Sequence, residues 1–87
     1  MSDMYFDAGA SGWSETEDGV DVPGWRTVWY WNETLRLYGV HAKSERNYEG
    51  HGNRFVRTIV SVELVGDKVA AAKFLAVSWN AEAEANL

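Results

Sequence analysis

Gly66-Asp67-Lys68-Val69-Ala70-Ala71-Ala72-Lys73-Phe74-Leu75-Ala76-Val77-Ser78-Trp79-Asn80 decides whether this chain is all-β or α+β. Read one way, Gly66-Asp67 is a two-residue hairpin connection, because glycine supplies the positive φ that primed turns need. That register sets Leu64 against Val69, Val62 against Ala71 and Ile59 against Phe74. Read the other way, Asp67 is an N-cap and the Ala, Lys and Glu that follow it are good helix formers, with Phe74, Val77 and Ala81 as an apolar stripe. The hairpin is the expectation, with a strand to about Trp79 and a short helical or frayed tail over 81–87. The fold class expected is therefore mainly β, an antiparallel meander of four to five strands, with α+β and one C-terminal helix as the alternative.

Working back toward the N-terminus, Arg54 to Val65 has the clearest strand pattern. Val56, Thr58, Val60, Val62 and Leu64 share one face, and Phe55, Arg57, Ile59, Ser61 and Glu63 share the other. Residues 43–53 are polar and glycine-bearing, as a loop or the open end of a hairpin would be. Trp25 to Trp31 is almost wholly β-branched or aromatic, and alternation puts Trp25, Thr27, Trp29 and Trp31 on one face. Asn32-Glu33 reads as a tight turn, after which Leu35, Leu37 and Val40 continue in a second strand. A helix capped by Asn32 fits less well, because Leu35 and Leu37 follow period two.

Residues 7–24 gather Gly9, Gly12, Gly19, Gly24, Pro23 and five acids, a composition that disfavours regular structure. Loop or partial disorder is expected there, with Trp13 as the large side chain that would pin it. Met4, Tyr5 and Phe6 are candidates for a short edge strand. The division is thus an acidic segment 1–24, a β-rich domain 25–80 and the tail.

A chain of 87 residues has room for one core and no second compartment, and with no cysteine it has neither disulfides nor thiolate metal ligands. Packing or self-association must supply its stability, and an exposed strand edge invites a homodimer. The net charge of −5 argues against direct nucleic-acid binding, which draws its affinity from Lys and Arg. Charge is unevenly spread: residues 1–24 hold six acids and no Lys or Arg, whereas residues 25–80 hold eight basic and five acidic residues. Met1-Ser2-Asp3-Met4 resembles no secretory leader, and no apolar run reaches the roughly 20 residues that span a bilayer. A cytoplasmic protein without membrane contact is expected. Asn32-Glu33-Thr34, which matches a glycosylation pattern, is then a turn.

No catalytic set can be assembled, so the chain is expected not to be an enzyme. Gly9-Ala10-Ser11-Gly12 lacks the strand and helix of a nucleophile elbow, and the glycines lack the Gly-Lys-Ser/Thr ending of a phosphate loop. His41, Glu45, Glu49 and His51 lie close in sequence but match no metal-ligand spacing, and neither metal nor cofactor is expected.

Two surface features remain as candidates for binding. Five tryptophans in so short a chain are unusual, and Trp25, Trp29 and Trp31, joined by Tyr38 and Tyr48, could stack on a partner, although a small core also needs such rings. Arg36, Arg54 and Arg57, with Arg26 and Arg46, interleave with these aromatics. The acids Glu15, Glu17, Asp18 and Asp21 could present carboxylates to an arginine-rich partner, or could simply solubilise a tail. The expectation drawn from this character is a non-enzymatic module that binds and modulates another protein, of the kind a viral inhibitor of a host nucleic-acid-handling complex would be. The alternative is a protein that binds or sequesters a nucleotide or sugar between Trp or Tyr and Arg.

Overall fold

The aromatic run from Trp25 does form a strand, and it carries the sheet. The computed structural model describes residues 7–9, 12–46 and 55–85, with backbone alone for 55–57. Strands β1 (Trp13–Thr16), β2 (Trp25–Asn32), β3 (Leu37–Ser44) and β4 (Phe55–Val60) form one antiparallel sheet in the order β1-β2-β3-β4, followed by helices α1 (Val62–Gly66) and α2 (Lys68–Ala85). The fold is a four-stranded antiparallel meander with a C-terminal helix.

The alternation expected of β2 holds. Trp25 and Trp29 are each 5% exposed on the inner face with Thr27 and Trp31, and the opposite face shows Arg26 and Val28 to solvent. Register then sorts the neighbours: Val40 lies opposite Trp29 and Ala42 opposite Thr27, while Thr58 and Val60 lie opposite Val40 and Tyr38. The turn before β3 is longer than expected. It spans Glu33 to Arg36, with Asn32 Oδ1 accepting from the Leu35 amide at 2.9 Å and the Asn32 carbonyl from the Arg36 amide at 2.8 Å. Leu35 is consequently an exposed turn residue rather than a strand residue, and strand pairing resumes at Leu37.

The hairpin expected at Gly66-Asp67 is not formed. The last strand ends at Val60, where Ser61 caps α1 by accepting the Leu64 amide on its Oγ at 3.3 Å. Asp67 then caps α2, its Oδ1 accepting the Ala70 amide at 3.2 Å. The physical reason is a layer requirement: a single sheet bearing buried Trp25, Trp29, Val40 and Ala42 needs a cover, which a fifth strand in the same sheet cannot provide. Helix α2 lies over that face and buries Ala71, Leu75, Trp79 and Ala83. The stripe expected from Phe74, Val77 and Ala81 is instead exposed. Trp79 is 1% exposed and meets Trp25 edge-on with ring centroids 5.4 Å apart; the Trp25 indole N–H donates to Asn80 Oδ1 at 3.0 Å. Edge-to-face aromatic pairs add about 0.5–1.5 kcal/mol beyond their area burial.

A second cover comes from the acidic segment. Far from hanging free, residues 17–24 cross the inner face, where Val20 and Val22 enter the core. Gly19 lies flat on the Trp29 indole, so closely that an added Cβ would come within 2.1 Å of the ring. Part of the segment is strand as well, since Trp13–Thr16 pairs with β2 through Trp13 opposite Asn32 and Thr16 opposite Trp29. Met4 to Phe6 and most of the 43–53 loop lie outside the described residues.

Two glycine substitutions separate packing from backbone freedom. Gly19→Ala drives a methyl into Trp29 and is expected to lower the urea midpoint by the equivalent of ~1–3 kcal/mol, the usual cost of overpacking. Gly66→Ala meets nothing within 4 Å and is expected to raise stability by about 0.4–1 kcal/mol through the unfolded chain. Equal midpoints for the two variants would contradict the stacking of residues 17–24 on Trp29.

Candidate interaction surface

Because α2 and residues 19–22 cover the Trp25 and Trp29 end of the inner face, the other end stays open. There Trp31 and Tyr38 are half-buried, with ring centroids 4.7 Å apart. Arg36 reaches back from the turn and places its guanidinium 5.3 Å from the Trp31 ring centroid, a cation–π distance. Its backbone has φ +56°, a left-handed conformation that costs a non-glycine residue roughly 1–2 kcal/mol.

Glu33 holds this group together. Its Oε1 accepts the Trp31 indole N–H at 3.0 Å and its Oε2 accepts Arg36 Nη1 at 2.8 Å. The indole donor first, and then the hydrogen bond and charge of Arg36, hold the Glu33 carboxyl below the ordinary glutamate value of 4.5. Glu33 is absent from the site expected on sequence grounds. The signal was its position in the turn between Trp31 and Arg36, but the partnership depends on a turn long enough to bring Arg36 back over the strand.

Glu15 and Asp18 border the same cleft, a depression of about 440 Å³ that also touches Val62. Glu17 and Asp21 are exposed along the continuation of that edge and, with Glu15, line a smaller depression of about 340 Å³ beside Thr27 and Val28. Hence Trp31, Tyr38, Arg36, Glu15 and Asp18 do come together, and Glu17 and Asp21 adjoin them.

Two of the other residues expected at the site do not join it. Trp25 and Trp29 are core, each under its own cover, and cannot stack on a ligand. Tyr48 and Arg54 lie outside the described residues, and the Arg57 backbone sits in β4 opposite His41. Among the described residues there is no shared basic face, because the arginine side chains each engage a carboxylate: Arg26 with Glu45 at 3.7 Å, Arg36 with Glu33 at 2.8 Å and Arg46 with Glu84 at 3.1 Å. His41 packs beside the Tyr30 ring on the outer face, with centroids 5.2 Å apart, and among the described residues no three His, Asp or Glu side chains converge as a metal site. No described helix is long and apolar enough to cross a membrane.

No protein-family model, curated protein or solved structure matches the chain.

The Glu33 clamp has a pH signature. A carboxyl whose folded pKa is depressed contributes stability above its unfolded pKa and loses it as pH falls through the folded value. The Trp31 indole N–H resonance is therefore expected to move with a midpoint below 4.5 on acidification, and to lose that transition in Glu33→Gln. A midpoint at or above 4.5 would contradict the clamp.

Proposed function

We propose that this protein is a non-enzymatic interaction module that docks its acidic edge, β1 and the loop after it, on an arginine- and lysine-rich surface of another protein. The observation that carries the reading is the way the acids are held. Glu15 sits on a paired strand, Glu17 and Asp18 precede Gly19, which packs on Trp29, and Asp21 lies between the buried Val20 and Val22. A solubilising tail needs no such anchoring. A fixed row of carboxylates loses little conformational entropy on binding and steers a basic partner over distances near the Debye length, about 8 Å at physiological salt. Trp31 and Tyr38, half-buried in the adjoining cleft, add the aromatic anchors that interface centres favour.

The chemistry of the partner follows from this edge. Surfaces dense in Arg and Lys are those built to hold a phosphate backbone, so a component of a nucleic-acid-handling complex is the class of protein best matched to it. Occupying such a surface would inhibit that complex, and this is the finer form of the proposal.

Binding of a nucleotide or sugar in the Trp31 cleft is a weaker reading. Arg36 and the Trp31 indole N–H are already engaged by Glu33, and Glu15 and Asp18 at the rim repel a phosphate.

Removing the acidic segment would be a poor test, since it deletes β1, Val20 and Val22 and with them part of the core. Neutralising it in place is cleaner. Glu15→Gln, Glu17→Gln, Asp18→Asn and Asp21→Asn together should preserve the circular dichroism spectrum. Affinity capture from host lysate is expected to recover a specific basic protein with the wild-type chain at low salt, less of it at moderate salt, and at least about tenfold less with the neutralised chain. Equal recovery by both chains would move the interface off the acidic edge. Recovery of no protein, together with quenching of tryptophan fluorescence by a nucleotide or sugar, would favour the small-ligand reading.

A further inference from the structure

Helix α2 is apolar on more sides than the sheet uses. Its buried stripe is Ala71, Leu75, Trp79 and Ala83, yet Phe74 is 58% exposed and Val77 70% exposed on a different face. With Ala70 and Ala81, both also exposed, these two fall at the i, i+4, i+7, i+11 spacing of one continuous stripe. Between Lys73 and Glu82 the helix carries no charge. Surface helices keep a polar outer face, and one that is apolar all round is ordinarily buried all round.

The charges of α2 indicate what covers it. Lys68 and Lys73 occupy its N-terminal half and Glu82 and Glu84 its C-terminal half, with no acid in the first turn and no base in the last. Although Asp67 caps the N-terminus and Arg46 pairs with Glu84, this order within the helix opposes its macrodipole, which favours acids at the N-terminus and bases at the C-terminus. A second helix running antiparallel offsets the disadvantage. It brings each lysine half against the other's glutamate half and sets the two dipoles head to tail.

We infer that the outward face of α2 is a two-fold homodimer interface in which a second copy of the chain packs antiparallel on Phe74 and Val77. The same face carries both a projection and a recess. Beside Phe74 runs a largely apolar groove of about 620 Å³, lined by Ser78, Trp79, Ala81, Glu82 and Ala85 on α2 and by Thr58 on β4. A two-fold axis near Val77 and Ser78 carries Phe74 of each copy to the Ala81 to Ala85 turn of the other. Such self-complementarity is what an isologous contact requires. The dimer uses none of the acidic edge or the Trp31 cleft, so it stands or falls separately from the docking proposal.

Sedimentation equilibrium of the full chain over a wide concentration range tests the inference, with Phe74→Glu and Val77→Lys as exposed-position variants. The wild-type chain is expected to reach twice the chain mass. Each variant is expected to raise the dimer dissociation constant ~30-fold or more while leaving the far-UV spectrum unchanged. If Phe74→Glu loses its fold, Val77→Lys at the more exposed position gives the reading. A wild-type chain that stays monomeric throughout overturns the inference. So does a dimer that persists in Val77→Lys, which would place the contact on another surface such as the outer face of the sheet.

Discussion

The structure depends on Trp79 of α2 reaching the inner face of the sheet beside Trp25. A four-stranded sheet without disulfides has one face rich in large apolar rings and no partner layer of its own. Trp79, at 1% exposure, supplies that layer, with Leu75, Ala71 and Ala83 buried along the same stripe. The polar end of the Trp25 ring would be costly to bury unpaired, and Asn80, the next residue on the helix, accepts its N–H. One helical turn thus provides both the apolar contact and the hydrogen bond.

That placement determines where a site can form. The helix covers the Trp25 end, and Gly19, Val20 and Val22 close over Trp29, which leaves the Trp31 and Tyr38 end of the same face open among the described residues. Glu15 and Asp18 border that end, with Glu17 and Asp21 along the adjoining depression, because the loop after β1 is itself part of the core. A single segment therefore serves two purposes: its valines complete the packing and its carboxylates form the charged edge. Glu33 ties Trp31 and Arg36 into a fixed group beside it.

Much of this was legible in the sequence where a residue's role follows from its neighbours along the strand. The alternation of Trp25, Thr27, Trp29 and Trp31 placed them on one face correctly, because period two needs no knowledge of tertiary structure. Other features depend on contacts between distant parts of the chain. Val62 and Leu64 continue the parity of Val56, Thr58 and Val60, so nothing local reveals that Ser61 ends the strand by capping a helix. Gly66-Asp67 suits a hairpin as well as a cap, and the choice rests on the sheet's need for cover. Phe74 and Val77 look like better core residues than Ala71 and Ala83. Ala71 and Ala83 are buried instead because they share the face of α2 that Leu75 and Trp79 turn to the sheet. For the acidic segment, composition signalled a loop, but the fit of Gly19 to the Trp29 ring is a three-dimensional coincidence that glycine content alone does not encode.

The central claim, that contact between Trp25 and Trp79 holds helix to sheet, is most directly tested by a double-mutant cycle in urea on the wild-type chain, Trp25→Leu, Trp79→Leu and the double variant. Direct contact predicts a coupling of ~1 kcal/mol or more, with the double variant less destabilised than the sum of the single ones. Additivity within about 0.3 kcal/mol would contradict it and would mean that the helix is held to the sheet by other contacts.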